Sequence, residues 1–226
     1  MKLIEYPDQD MMMIDVANQL AGSLKEQLMM NDQVSFAVPG GSTPGPIFDV
    51  LSAVRLDWDR VTVVLTDERW VPESHEHSNA RLIRERLLVD HAAAARLLPV
   101  YTEGAEPDDC IGPLAVALKP HLPISVLVLG MGADMHTASM FPGADGLEQA
   151  LHEDAPGYFP IRQDGAGVVN WRMTLTAPVL NDAMSKHLVI HGAEKRAALE
   201  RAQQMGDPMR APIAAILPGT TVHWAE

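Results

Sequence analysis

Asp134 and His136 stand two residues apart in "VLGMGADMHTASMFPG" (Val128 to Gly143), where a strand-like apolar run opens into glycines. Imidazole titrates near neutral pH, and a neighbouring carboxylate can orient and tune it. The pair therefore suits a general base that takes a proton from water. The spacing also allows a plainer reading, with Asp134 capping a helix that begins there and His136 satisfied structurally. Gly130 and Gly132 make a Gly-x-Gly pattern, but Met135 follows where a dinucleotide fingerprint needs glycine.

"PGGSTPG" offers a different chemistry, the binding of an anion. Gly40 and Gly41 let the backbone approach it, Ser42 and Thr43 supply hydroxyls, and a following helix adds positive potential. The lysine and spacing of a Walker A loop are missing, and Pro44 replaces the last glycine of a nucleophile elbow. A tight turn with a capped helix is the alternative. Asp67, Glu68 and Arg69 close the apolar run "VTVVLTDERW", where charges are costly unless paired or used. An internal ion pair would account for Asp67 or Glu68, whereas Arg69 could stabilise an oxyanion or hold substrate oxygens. Arg172 and Lys195 are further cations near later strand ends, each also readable as a solvated surface charge.

Other reactive side chains carry less. His75 and His77 in "SHEHSN" have no third ligand at a diagnostic spacing, so a polar loop is the better reading than a metal site. Cys110 lies beside Asp108 and Asp109, which disfavour a thiolate, and one cysteine excludes an internal disulfide framework. Met11 to Met13, Met29 and Met30 are expected to pack a helix interface.

The elements that carry these residues alternate short β-rich runs with helical patterns, as in an α/β fold with a mainly parallel sheet. The spacing predicts a helix over 13–28 capped by Asp8 or Asp10, then a buried strand "VSFAV" and a helix near 45–54. "VTVVLTDERW" reads as one strand, Ser78 as the cap of a helix through "NARLIRERLL", and "LLPVYT" as a weaker strand. A helix over 109–118 ends before Pro120 and Pro123, and "ISVLVLG" is the strongest strand. "YFPIR" and "RMTLTA" read as strands separated by the irregular "QDGAGVVN". "HLVIHG", a helix over 193–204, and strands "AAILPG" and "TVHWAE" complete the chain. In parallel sheets ligands bind beyond the carboxyl ends of strands, where "GGST", "TDERW", "GMGADMH" and "HGAEK" all fall.

The 226 residues suit one domain, residues 1–226, and a chain of this length buries roughly 70% of its unfolded surface without staples. A net charge of −13 argues against nucleic acid and anionic membranes as partners, but not against a small anionic substrate met by local cations. No apolar run approaches the roughly 20 residues of a membrane span, and "MKLIEYPDQD" does not read as a signal peptide. The expected location is cytoplasmic.

Together "PGGSTP", "TDERWVP…SN", "LGMGADMHTASMFPG", "RMTLTAPVLN" and "GAEK" resemble the 6-phosphogluconolactonase family in order and over nearly the whole chain. The resemblance implies a three-layer Rossmann-like domain, a mainly parallel central sheet flanked by helices, as in the glucosamine-6-phosphate deaminases. It implies hydrolysis of 6-phospho-D-glucono-1,5-lactone to 6-phosphogluconate in the oxidative pentose phosphate pathway. His136 would activate water, Asp134 would orient it and Arg69 would lie near the lactone. Gly40, Gly41, Ser42 and Thr43, with Arg172 and Lys195, would hold the phosphate. No metal or organic cofactor is implied, and the protein would be a monomer or a homodimer with a small phosphosugar lactone as its partner. The family usually has glycine where this chain has Met135, and a positive φ there would strain methionine by roughly 1 kcal/mol or more. Two alternatives remain: a deaminase-like isomerising enzyme, against which "TASMFPG" and "DERWVP" weigh, and a non-catalytic sugar-phosphate-binding module, against which Asp134 and His136 weigh.

Overall fold

A computed structural model describes residues 1–163 and 171–226. Most of the predicted irregular stretch "QDGAGVVN" therefore lies outside the described residues. Among those described, the chain begins with β1 (Lys2–Tyr6), α1 (Gln9–Met30), β2 (Val34–Val38), α2 (Gly45–Ser52), β3 (Val61–Leu65) and β4 (Asp67–Arg69). It continues through α3 (Asn79–Arg86), β5 (Arg96–Leu97), α4 (Ile111–Leu118), β6 (Val126–Leu129), α5 (Leu147–Leu151) and β7 (Tyr158–Arg162). It closes with β8 (Trp171–Leu175), α6 (Ala177–Asn181), β9 (Ser185–His191), α7 (Ala193–Met205) and β10 (Thr221–Ala225).

Seven strands form a parallel sheet in the order β1-β10-β9-β6-β2-β3-β5. The chain steps outward from β2 to β3 and β5 on one side, and from β6 to β9 and β10 on the other. Neighbouring β2 and β6 are thus the point where strand order reverses, and their departing loops leave a crevice between them. Every residue of β2, β3 and β6 is buried, which is why those segments read as continuous apolar runs. α1 lays its buried face (Met12, Val16, Leu20, Leu24) toward β10, β2, β6 and β1, beside α2. Asp8 caps it, accepting from the Met11 N–H at 2.8 Å. α7 packs on β9 and α4 on β7.

The second sheet is antiparallel, in the order β4-β8-β7, and it corrects the expectation of one strand through "VTVVLTDERW". The chain changes sheets at Thr66. Its N–H still donates to Val38 O of the large sheet at 2.9 Å, while its carbonyl accepts from Leu175 N of the small one at 2.8 Å. Tyr158 of β7, buried, donates to Leu65 O at 2.6 Å and clamps the junction. The switch sets Arg69 directly opposite Arg172 in the β4–β8 ladder.

Other expectations also need correction. "AAILPG" is no strand: Pro212–Ala215 form a 3₁₀ turn, and the apolar run buries itself without a sheet partner. "LLPVYT" shrinks to the two-residue β5, and the helix over 109–118 begins at Ile111 after a 3₁₀ turn at Pro107–Cys110. β1 went unpredicted; its partner β10 lies at the other end of the chain. No helix starts at Asp134, since the next one is α5. Met12 and Met13 pack inside as expected, whereas Met11, Met29 and Met30 are exposed. No described helix is long and apolar enough to cross a membrane.

Candidate active site

The loops leaving β2 and β6 form one side of an open cleft of about 270 Å³. Gly40, Gly41, Ser42 and Thr43 line it after β2, and Gly130, Gly132 and His136 line it after β6. Arg69 of β4, Arg172 of β8 and Lys195 in the first turn of α7 complete the wall. Asp134 stands behind His136 and does not face the cleft. The predicted site residues other than Asp134, spread along the sequence from Gly40 to Lys195, therefore line one crevice, with Asp134 bonded to His136 behind it.

The loop after β6 is wound tightly enough to aim the imidazole. Met135 N donates to Gly132 O at 3.0 Å, and Gly132 N donates to His136 O at 3.1 Å. A Cβ on Gly132 would lie 2.3 Å from both Asp134 Oδ1 and His136 Nδ1, so only glycine leaves room for the pair. Thr137 Oγ1 donates to Gly130 O at 2.9 Å, fixing the return of the loop to the strand end. Met135 has φ +69, a left-handed conformation that glycine adopts freely and methionine does not. Its carbonyl accepts from Ile213 N at 3.2 Å, so the mispredicted 3₁₀ turn props the site loop from behind.

Asp134 Oδ1 lies 2.5 Å from His136 Nδ1 and also accepts the His136 backbone N–H at 3.2 Å. A carboxylate can only accept, so in the neutral imidazole Nδ1 carries the proton and Nε2 is left as a lone pair. Nε2 has no protein partner among the described residues. Burial pushes the Asp134 carboxyl up, but its bonds to His136 and the charge there outweigh that and hold it below the usual range. The imidazole packs on Phe141 at a ring separation of 4.3 Å, and the Arg172 guanidinium lies 5.2 Å from the same ring.

Across the cleft, Arg69, Arg172 and Lys195 form no ion pair with a carboxylate among the described residues. Arg69 Nε and Arg172 Nε are both buried without a hydrogen-bond partner there. Burial, and next the charge of Arg69, push the Arg172 guanidinium below its ordinary value, and burial does the same to Lys195. Two guanidinium groups facing each other across a ladder are unfavourable unless an anion lies between them or beside them. These cations make the crevice locally positive on a chain whose net charge is −13.

The acids beside Arg69 are hydrogen-bonded, not ion-paired as expected. Glu68, 1% exposed, accepts from the N–H groups of Asn79 and Ala80, both at 2.7 Å, and from Ser78 Oγ at 3.1 Å and Arg69 N at 2.8 Å. Burial raises its carboxyl, and those backbone donors partly offset the rise. It thus anchors the amino end of α3, while Ser78 caps as predicted by accepting from Arg81 N at 3.2 Å. Asp67 lines the cleft but accepts from Ser139 Oγ at 2.6 Å. Asn79 also lines the cleft and was missed; the "SN" pair signalled a cap without revealing where the next side chain would turn. His75 and His77 sit in an exposed turn, and no three potential metal ligands gather among the described residues.

The profile of a family described as glucosamine-6-phosphate isomerases/6-phosphogluconolactonase matches residues 7–224. A 6-phosphogluconolactonase of Rhizobium meliloti is 40% identical over 217 residues, covering 93% of this chain and 92% of the relative. One from Pseudomonas aeruginosa is 40% identical over 221 residues, covering 92% and 88%. Among solved structures, a 6-phosphogluconolactonase from Shewanella baltica superposes with a TM-score of 0.93 at 29% identity, over 100% of this chain and 97% of that one. A monomeric glucosamine-6-phosphate deaminase shares the fold, with a TM-score of 0.85 at 14% identity over 100% and 98%.

Proposed function

The chain belongs to the glucosamine-6-phosphate isomerase/6-phosphogluconolactonase family, and from that premise we propose that it hydrolyses 6-phospho-D-glucono-1,5-lactone to 6-phosphogluconate with His136 as general base. The observation that carries the assignment of the base is the open Nε2 of His136, facing a cation-lined cleft while Asp134 holds Nδ1 at 2.5 Å. We also propose that residues 1–226 act as one domain, supported by a cluster of buried side chains that runs, among the described residues, from Met12 to Ala225.

The phosphate lies against Gly40, Gly41, Ser42 and Thr43, with Arg172 and Lys195 supplying charge. Anchoring that remote group orients the lactone, so its carbonyl meets a positioned water. Nε2 takes a proton from the water as its oxygen attacks C1, and the carbonyl oxygen becomes an oxyanion within reach of Arg69 or the loop N–H groups. Asp134 stabilises the imidazolium. Collapse of the tetrahedral species breaks the bond from C1 to the ring oxygen, which takes the proton back from Nε2. Neither a covalent intermediate nor a metal is used.

Fresh 6-phosphogluconolactone, followed by acid release with and without the protein, tests this directly. Acceleration above the spontaneous rate is expected. Equal rates would exclude the hydrolase, and ammonia release from glucosamine 6-phosphate would move the protein to the deaminase branch.

A further inference from the structure

Asn79 is the first residue of α3, yet it is only 1% exposed. Ser78 already caps the helix, so a side chain at this position has no capping duty of its own. Its amide is used at both ends instead. Nδ2 donates to Asp67 O at 2.8 Å, which settles the orientation of the group and leaves Oδ1 to accept from Arg69 Nη1 at 2.5 Å. Its backbone N–H is held by Glu68 at 2.7 Å, so neither the main chain nor the side chain is free to turn.

The same amide touches the opposite wall. A Cβ on Gly40 would lie 1.8 Å from Asn79 Oδ1, closer than any packing allows. The glycine-rich loop and the Arg69 guanidinium are therefore spaced by one carboxamide. Arg69 Nη1 is shared between Asn79 and His77 O at 3.2 Å, which leaves its buried Nε without a protein partner among the described residues. A guanidinium pinned at one edge presents the other at a defined angle.

We propose that Asn79 is a positioning residue that fixes Arg69 against the glycine-rich loop, so that the groups meeting the two ends of the substrate are held at a set separation. The inference rests on the assignment above, in which the loop takes the phosphate and Arg69 meets the lactone. Asn79 touches no reacting atom; its effect reaches the reaction through Arg69. Without the carboxamide, Arg69 gains rotational freedom relative to the loop. A shift of about 1 Å at such a group costs roughly 100-fold in rate.

A double-mutant cycle in the full chain tests the inference: Asn79→Ala, Arg69→Ala and the double variant. Two quantities are measured: hydrolysis of fresh lactone and calorimetric affinity for 6-phosphogluconate. Asn79→Ala should lower kcat about 10- to 100-fold while KM moves less than about threefold, and weaken product binding several-fold. In the Arg69→Ala background the same change should leave product affinity within about twofold, because the group it positions is already gone. Equal losses in both backgrounds would overturn the inference, since a residue serving the fold alone acts independently of Arg69. Should Asn79→Ala fail to fold, Asn79→Leu, of similar volume and without the acceptor, runs the same cycle and is read the same way. An unaltered protein that neither hydrolyses the lactone nor binds the product would overturn the functional assignment itself. An active, product-binding protein with an additive cycle would overturn only the role of Asn79.

Discussion

His136 and the buried pair His187 and His223 use the same imidazole in opposite ways. At His136 one ring nitrogen is held by Asp134 and the other faces the cleft without a protein partner among the described residues. In the buried pair every ring nitrogen is engaged. Ser185 Oγ meets His187 Nε2 at 3.0 Å, His187 Nδ1 meets His223 Nε2 at 3.0 Å, and His223 Nδ1 meets Tyr6 OH at 2.9 Å. Tyr6 in turn donates to Asp15 Oδ2 at 2.7 Å. Because Tyr6 gives its proton to Asp15, it accepts from His223, and the tautomers follow in one direction back to Ser185. Burial lowers both imidazoles to about 4, with the charge of His187 adding to the effect at His223. Under the proposed mechanism, reactivity lies in the hydrogen bond left unmade. A histidine with both nitrogens committed ties β1, β10 and β9 together, and one with a nitrogen left over can take a proton from water.

The largest effect that separates the two regions is in turnover. His136→Ala should lower kcat for lactone hydrolysis by about 10²- to 10⁴-fold with unfolding free energy reduced by no more than about 1 kcal/mol. His187→Ala should do the reverse, keeping kcat within about twofold while costing about 1–3 kcal/mol in urea unfolding. Comparable losses of turnover in both variants would break the comparison. Next, Asp134→Asn preserves shape but offers Nδ1 either an amide N–H or a weaker acceptor, so the proton moves toward Nε2. Turnover should fall by about 10²-fold or more with little change in KM; an unchanged kcat would mean that Asp134 serves only the turn.

The pH dependence of stability belongs to the buried side of the comparison. Both buried imidazoles titrate at about 4 when folded and at 6.5 ordinarily, so between those values the unfolded chain binds more protons than the folded one. Stability should be complete above pH 6.5 and fall, on the order of 3 kcal/mol for each imidazole, as pH drops toward 4. Urea midpoints measured through that window should show a shallower slope in His187→Ala. An equal slope in the variant would place the titration elsewhere. Asp134 does not contribute there, because a carboxyl held below 3.8 loses its stabilising effect only at lower pH.

The smallest effect concerns strain, which is concentrated on the reactive side. Met135 at φ +69 and Ala138 at φ +49 both belong to the site loop. Met135→Gly relieves the left-handed conformation and Met135→Ala keeps it, while both remove the side chain's packing. The glycine variant should therefore be more stable than the alanine variant by about 1 kcal/mol, measured by urea unfolding. The opposite order would show that the conformation costs methionine nothing.

What could be read directly from the sequence was local. β2 and β6 are contiguous apolar runs, the Ser78 cap lies three residues from its donor, and Asp134 meets His136 because two residues of turn leave little other choice. Resemblance of whole motifs then joined segments that no spacing rule could connect, and the cleft brings those segments together. The remainder was decided by partners distant in sequence. At Thr66 the chain leaves one sheet for another because Val38 O takes its N–H and Leu175 N takes its carbonyl, and no pattern within "VTVVLTDERW" encodes either. Glu68 reads as a charge in need of an ion, yet four donors from its own and the following segment satisfy it. "AAILPG" has strand-like composition, but burial alone does not distinguish a strand from a 3₁₀ turn packed behind a loop. Asn79 acquires its contacts only when α3 docks beside β4 and the loop after β2. Periodicity and turn chemistry act between neighbours and are written in the residues themselves, whereas hydrogen-bond partners across sheets exist only after the core has closed.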